Sequence, residues 1–189
     1  MNKIKISLAA ASSQGKTTLL DRLSRNQFLA EKNFRFGGSP VRDIQKLGIN
    51  INEAGTDITQ ALVVAKHIEN VYKDGNWVFD RSIMDSLAYG IAARKRCMIS
   101  AETLIFNETI FKNLINKYQI MFYIIPELPV VADGIRSLDK EYFNDVIDGF
   151  NYIIAQYGHE MNLVLVSGTV DERCEIILSH IKKLFNTHS

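Results

Sequence analysis

The chain has 189 residues, 47% of them hydrophobic, which suits one domain with a sizeable core and leaves little room for a second. Its 22 Lys and Arg against 21 Asp and Glu give a formal charge of +1, so no global electrostatic pull favours nucleic acid or a membrane surface. Cys97 and Cys174 belong to no C-x-x-C pair or metal-spaced set, which argues against a zinc module and suits reduced thiols.

Met1 to Lys5 followed by the apolar run Ile6 to Ala11 has the outline of a secretion signal, but the polar Ser12-Ser13-Gln14-Gly15-Lys16 ends that run too early. No stretch approaches the ~20 apolar residues of a membrane helix, so a cytoplasmic protein is expected. Instead, Lys3 to Ala9 alternates polar and apolar and then turns wholly apolar, as a first strand entering a sheet buried on both faces. Leu19, Leu20 and Leu23 recur at helical spacing within Thr17 to Ser24. The order is strand, loop, helix.

The loop between them, Ala10-Ala11-Ser12-Ser13-Gln14-Gly15-Lys16-Thr17, fits G-x-x-x-x-G-K-[ST] except at its first position. Alanine serves there only if the backbone keeps φ negative. Gly15 lets the chain approach phosphates, and the amides of Ser13, Gln14, Gly15, Lys16, Thr17 and Thr18 lead into the helix as an anion-binding nest. Lys16 brings a point charge to the β and γ phosphates of ATP, and the Thr17 hydroxyl is a magnesium ligand. A polar turn without a ligand is the competing reading, and the strand before and helix after argue against it.

Asn33 to Phe36 is a short strand closed by Gly37-Gly38, and Pro40 opens a helix toward Leu47 that Gly48 ends. Arg42 on that helix is a candidate for a substrate monophosphate. Thr56 caps a long helix whose Ile58, Ala61, Leu62, Ala65, Ile68 and Val71 recur every three or four residues, ended by Asp74-Gly75-Asn76. Asp57 and Gln60 in its first turns are candidates for reading a base or sugar. Trp77 to Asp80 reads as a buried parallel strand that delivers Asp80 to its C-terminal edge, where an acid holds magnesium or accepts a proton. Arg81 beside it offers a fork of donors to a substrate oxygen. The structural alternative is that Asp80 caps the next helix and Arg81 is solvated.

Ser82 to Cys97 and Ala101 to Lys117 read as helices, and basic residues such as Arg94-Lys95-Arg96 could line a polynucleotide groove or simply end a solvated helix. Ile120 to Ile125 is a further buried strand stopped by Pro126. The aperiodic stretch Glu127 to Asp139 predicts a functional loop in which Arg136, and secondarily Lys140, would close on the γ-phosphate. Glu141 to Tyr157 is helical, Asn162 to Val166 the last strand and Val170 to Phe185 a closing helix. Gly168 and Thr169 follow the last strand at the edge where an adenine would sit, although turn chemistry accounts for them as well. Strands alternating with helices predict a parallel sheet covered on both faces.

The runs S-S-Q-G-K-T-T, S-P-V-R-D-I-Q-K-L-G, T-D-I-T-Q, F-D-R-S-I-M-D-S-L-A-Y, D-G-I-R-S-L-D and V-S-G-T-V-D-E-R, in this order, resemble the NadR-like and thymidylate-kinase-like AAA-domain family of small P-loop nucleoside and nucleotide kinases, many of them phage-encoded. The resemblance spans almost the whole chain. It implies a three-layer α/β P-loop fold with a five-stranded parallel sheet in the order 2-3-1-4-5, a single domain over residues 1–189 and a lid-like segment at about 127–140. It assigns Lys16 and Thr17 to ATP and magnesium, Asp80 and Arg81 to catalysis and substrate, and Arg136 to the lid. The reaction expected is ATP-dependent phosphorylation of a (deoxy)nucleoside monophosphate. Alternatives are a nucleoside or a hydroxymethylated base in phage DNA as acceptor, or a nucleotide-dependent regulatory ATPase. The assembly state is left open, with a homodimer one option.

Overall fold

Side chains that alternate across a strand sort the core into two layers. On β4 (Ile120–Ile124), Ile120, Phe122 and Ile124 face one side of the sheet, and Met121 and Tyr123 the other. The computed structural model describes residues 3–51, 54–127 and 139–186. Within them β1 (Lys5–Ala9), β2 (Phe34–Gly37), β3 (Asn76–Asp80), β4 and β5 (Leu163–Val166) form one parallel sheet in the order β2-β3-β1-β4-β5, as the resemblance implies.

One layer is α1 (Lys16–Ser24), α2 (Gln27–Glu31) and α8 (Val170–Asn186), which bring Leu19, Leu23, Leu29, Ile177 and Ile181 onto Ile6, Leu8, Val78 and Phe122. The opposite layer is α4 (Asp57–Tyr72), α5 (Ile83–Lys95), α6 (Ala101–Leu114) and α7 (Lys140–Tyr157), packed through Val64, Leu87, Phe111 and Phe150 onto Phe79 and Tyr123. The short α3 (Pro40–Lys46) begins with proline in its first turn, where a missing N–H costs nothing.

Element ends differ from the sequence expectation by a residue or two, for reasons visible in the caps. Thr56 caps α4 as expected, completing a capping box with Thr59. Ser82 lies outside α5 and caps it, while Ile115 to Lys117 tightens into a 3-10 turn after α6. The five-residue α2 is an addition, since so short a helix shows no apolar period. Where α5 and α7 cross, a Cβ on Gly149 would stand 2.6 Å from the Ala88 carbonyl oxygen, so only glycine permits that approach. Residues 128–138 of the expected lid, Arg136 among them, lie outside the described residues.

Because every strand runs the same way, all their C-terminal ends open on one edge of the sheet. The loops after β1, β2, β3 and β5, and residues 125–127 after β4, lie there, on either side of the point where the strand order reverses, which is where such sheets hold ligands.

Candidate active site

The loop after β1 has the backbone of an anion nest. Ser13 and Gly15 are left-handed, with φ of 65° and 75°, and Gln14 between them is not. Alternating hand of this kind turns successive N–H groups toward one concavity. Ala10 has no positive φ, so alanine fits where the motif has glycine. Lys16, only 7% exposed, folds back so that Nζ donates to the carbonyls of Ala10 and Ala11, each at 2.9 Å. Thr17 and Thr18 open α1 on its exposed side. The Arg42 guanidinium stands 3.5 Å from the Thr17 hydroxyl, which sets α3 against the loop.

Asp80 ends β3 opposite Leu8 of β1, one residue before the chain turns toward the nest. It is 6% exposed, and its Oδ1 has no hydrogen-bond partner among the described residues. The idea that Asp80 caps α5 is overturned, since Ser82 does so. Arg81 is likewise not solvated. Its φ of 84° is a strained left-handed value for a long side chain, held by its N–H to the Leu8 carbonyl at 3.0 Å. Its guanidinium donates to Asp85 Oδ1 at 3.3 Å and lies 4.9 Å from the centre of the Tyr89 ring.

Asp85, 2% exposed, joins three parts of the site. One oxygen accepts from the Ala10 amide and from Arg81, both at 3.3 Å, and the other accepts from the Ser82 amide at 2.9 Å. Burial pushes its carboxyl above the usual carboxylate range, against the pull of Arg81 and Lys16. One turn on, the Tyr89 hydroxyl meets the Ser12 hydroxyl at 2.9 Å. Asp85 and Tyr89 also line a pocket of about 490 Å³, its open mouth included, between α4, α5 and α7.

The α4 wall of that pocket carries Gln60, Val63 and His67, three or four residues apart on one helix face. Gln60 accepts from Asn107 Nδ2 at 3.2 Å, which orients its amide. His67 is fully buried, and neither ring nitrogen has a partner among the described residues. Burial first, and the Arg81 charge second, lower its pKa to about 3, so the imidazole is neutral at pH 7. A neutral imidazole carries one donor and one acceptor, both unmet here.

Of the residues singled out from sequence, Lys16, Thr17, Arg42, Asp80, Arg81 and Gln60 thus meet at one edge of the sheet. Asp57 does not join them, because its carboxylate accepts at 2.8 Å from the amide of Ser100, the residue that caps α6. Gly168 and Thr169 stand at the head of α8, where the Thr169 amide and hydroxyl both donate to Glu172. Lys140 is exposed at the start of α7. Arg96 is paired with Asp139 and Asp145 at 2.7 Å and Lys95 with Asp145 at 2.5 Å, so two cations of the basic cluster already face acids. Reasoning from sequence missed Asp85, Tyr89 and His67. The signals available were position and motif: His67 shares the α4 face of Gln60, and Asp85 and Tyr89 stand in the same F-D-R-S-I-M-D-S-L-A-Y run as Asp80 and Arg81.

The donor set suits magnesium. Hard oxygen ligands are what that ion takes, and Asp80 offers a buried, unpartnered carboxylate oxygen at the end of β3, paired with the strand that leads into the nest. Among the described residues no group of three or more His, Cys, Asp or Glu could hold a metal alone. Magnesium ordinarily relies on one or two carboxylates plus the phosphates of its substrate. Also among the described residues, no helix is long and apolar enough to cross a membrane.

No family profile matches the chain, and no curated protein sequence does. Solved structures match its fold. A deoxyadenosine kinase from M. mycoides with dCMP and dCDP superposes with a TM-score of 0.69 at 14% identity, over 96% of this chain and 100% of that one. The same kinase with dATP gives 0.65 at 13% identity, over 95% and 99%. An NadR protein in complex with NR gives 0.65 at 18% identity over 87% of this chain, which spans only 45% of that protein's length.

Proposed function

We propose that this protein is an ATP- and magnesium-dependent phosphotransferase acting on a nucleoside or nucleotide. The observation that carries the reading is the adjacency of two sites through shared side chains. Asp85 and Tyr89 touch the phosphate nest at Ala10 and Ser12 and also line the neighbouring pocket. A donor phosphate and an acceptor hydroxyl are then held on either side of one helix turn, and phosphoryl transfer is mostly such positioning and charge stabilisation. The solved structures of similar fold support it, since their ligands include dATP, AMP-PNP and NR.

Lys16 would neutralise the β and γ phosphates, and Thr17 and Asp80 would hold a magnesium ion, which would supply further positive charge for the transferring phosphoryl group. Asp80 is not among the residues lining the pocket, which supports the metal role over that of proton acceptor. Arg81, fixed by Asp85 and Tyr89, directs a donor at the acceptor oxygen. That oxygen bonds to the γ-phosphorus as the bond to the β,γ-bridging oxygen breaks, ADP leaves with the bridging oxygen, and the acceptor proton ends on the new phosphate ester. Arg136 as the closing cation, and Gly168 and Thr169 as the adenine edge, stay part of this reading.

Sequence reasoning favoured a monophosphate acceptor, and Arg42 beside Thr17 remains its support. The pocket favours an uncharged nucleoside. Its described lining holds one cation, Arg81, already balanced by Asp85, and its unmet groups are uncharged: the nitrogens of His67 and the hydroxyl of Ser86. A phosphate dianion needs cations not already paired. Labelled ATP offered with nucleosides, nucleoside monophosphates and hydroxymethylated DNA tests this, with nucleosides expected to take the label. Label on monophosphates alone would restore the earlier acceptor. ATP hydrolysis with no labelled acceptor would favour a regulatory ATPase.

A further inference from the structure

We infer that Arg173 is a positioning residue for the phosphate nest, acting through the main-chain carbonyl of Gln14. The inference rests on the nest being a triphosphate site. Arg173 lies in the first turn of α8, where helix positions are commonly solvated, yet it is 3% exposed. Burying a guanidinium costs several kcal/mol unless its charge and donors are met. Here Nη2 donates to Glu127 Oε2 at 2.8 Å and Nη1 donates to the Gln14 carbonyl at 2.9 Å, so the charge is paired and both ends of the fork are used, while Nε has no partner among the described residues.

Those two contacts belong to a closed ring. The Glu127 amide donates to Gln14 Oε1 at 2.9 Å, and Gln14 Nε2 donates to the Ser12 carbonyl at 3.1 Å. Glu127 Oε2 accepts in addition from the Gly168 amide at 3.0 Å. Arg173 and Glu127 therefore hold both the side chain and the main chain of Gln14 from outside the loop. A trans peptide is planar, with its C=O and N–H pointing opposite ways. Fixing the Gln14 carbonyl toward Arg173 turns the N–H of the same peptide, that of Gly15, away from it and into the concavity. Fixing the Ser12 carbonyl does the same for the Ser13 amide.

Glycine at position 15 makes this fastening necessary, because glycine loses more freedom than any other residue when its backbone is fixed. Lys16 secures the carbonyls of Ala10 and Ala11 from within the loop. Arg173 secures the other end of the same loop from a helix 159 positions away in sequence.

The test is calorimetric binding of magnesium ATP and of inorganic tripolyphosphate, which carries no base, to the wild type and to R173Q, R173K and E127Q, each at a temperature where circular dichroism shows it folded. R173Q is expected to weaken both ligands by the same factor, about tenfold or more, with acceptor binding unchanged. R173K keeps the charge without the fork, and is expected to recover part of that loss. Reduced thermal stability with unchanged affinity for both ligands would make Arg173 a structural staple and overturn the inference. Loss for ATP alone, with tripolyphosphate unaffected, would move its role to the base side and overturn it equally. If R173Q does not fold, R173K and E127Q decide, and wild-type affinity in both refutes the positioning role. A wild type that binds neither ligand would instead defeat the triphosphate reading itself.

Discussion

Acidification should unfold this protein partly through one side chain, His67. Because its folded-state pKa of about 3 lies below the ordinary value of 6.5, the unfolded chain takes up the proton first as the pH falls. The neutral ring's contribution is whole above pH 6.5 and is lost progressively from there down to about pH 3. The slope is one proton, about 1.36 kcal/mol per pH unit. Between pH 6.5, where the unfolded imidazole is already half protonated, and pH 4.5 the loss is about 2.3 kcal/mol, or roughly 5–9 °C in Tm for a domain of this size. His67→Leu removes the titration while filling a similar volume. At pH 7 it should be neutral or slightly stabilising, since it replaces two unmet polar atoms by apolar ones. Urea unfolding of both proteins at half-unit intervals gives the difference. Asp85, shifted upward, and Glu127, Asp139 and Asp145, shifted downward, titrate in both proteins and cancel in that difference. Parallel loss of stability in wild type and H67L from pH 6.5 to 4.5 would refute a buried neutral imidazole.

Lys16→Ala should abolish ATP turnover and weaken binding of the triphosphate, read by a coupled ADP assay, and wild-type turnover would sink the phosphate assignment. Asp85→Ala strands the Arg81 charge in the interior and should cost about 3–5 kcal/mol in urea unfolding, whereas D85N, which keeps an acceptor for the Ala10 amide, should cost less. Gly149→Ala sets two contributions against each other. Better helix propensity favours it by about 1 kcal/mol, but a Cβ 2.6 Å from a backbone oxygen cannot be relieved by rotating a side chain. Overpacking of about 3 kcal/mol should win, leaving a net destabilisation of about 2 kcal/mol in urea unfolding.

What the chain declares by itself is whatever depends on neighbours a few residues apart. The nest is local: Ser13 to Thr17 with a strand before and a helix after can be read directly, and so can the Thr56 cap and the apolar periods of α4 and α7. Even the delivery of Asp80 and Arg81 to a strand end follows from a five-residue run. The sheet order came from a resemblance, and the parallel register supports it. The charge cluster at Arg94 to Arg96 shows the limit of local reading, because its signs are visible but the acids that neutralise it, Asp139 and Asp145, come from another element.

Only the tertiary structure decided which polar groups would be left without water. Asp85 reaches Ala10 across 75 positions, and Arg173 reaches Gln14 across 159. In sequence both are ordinary charged residues on helices. Folding withdraws them from solvent and obliges each to find a partner within hydrogen-bond reach, and for both that partner is the main chain of the loop after β1. Burial is a property of the assembled layers, so no window of residues could have announced it.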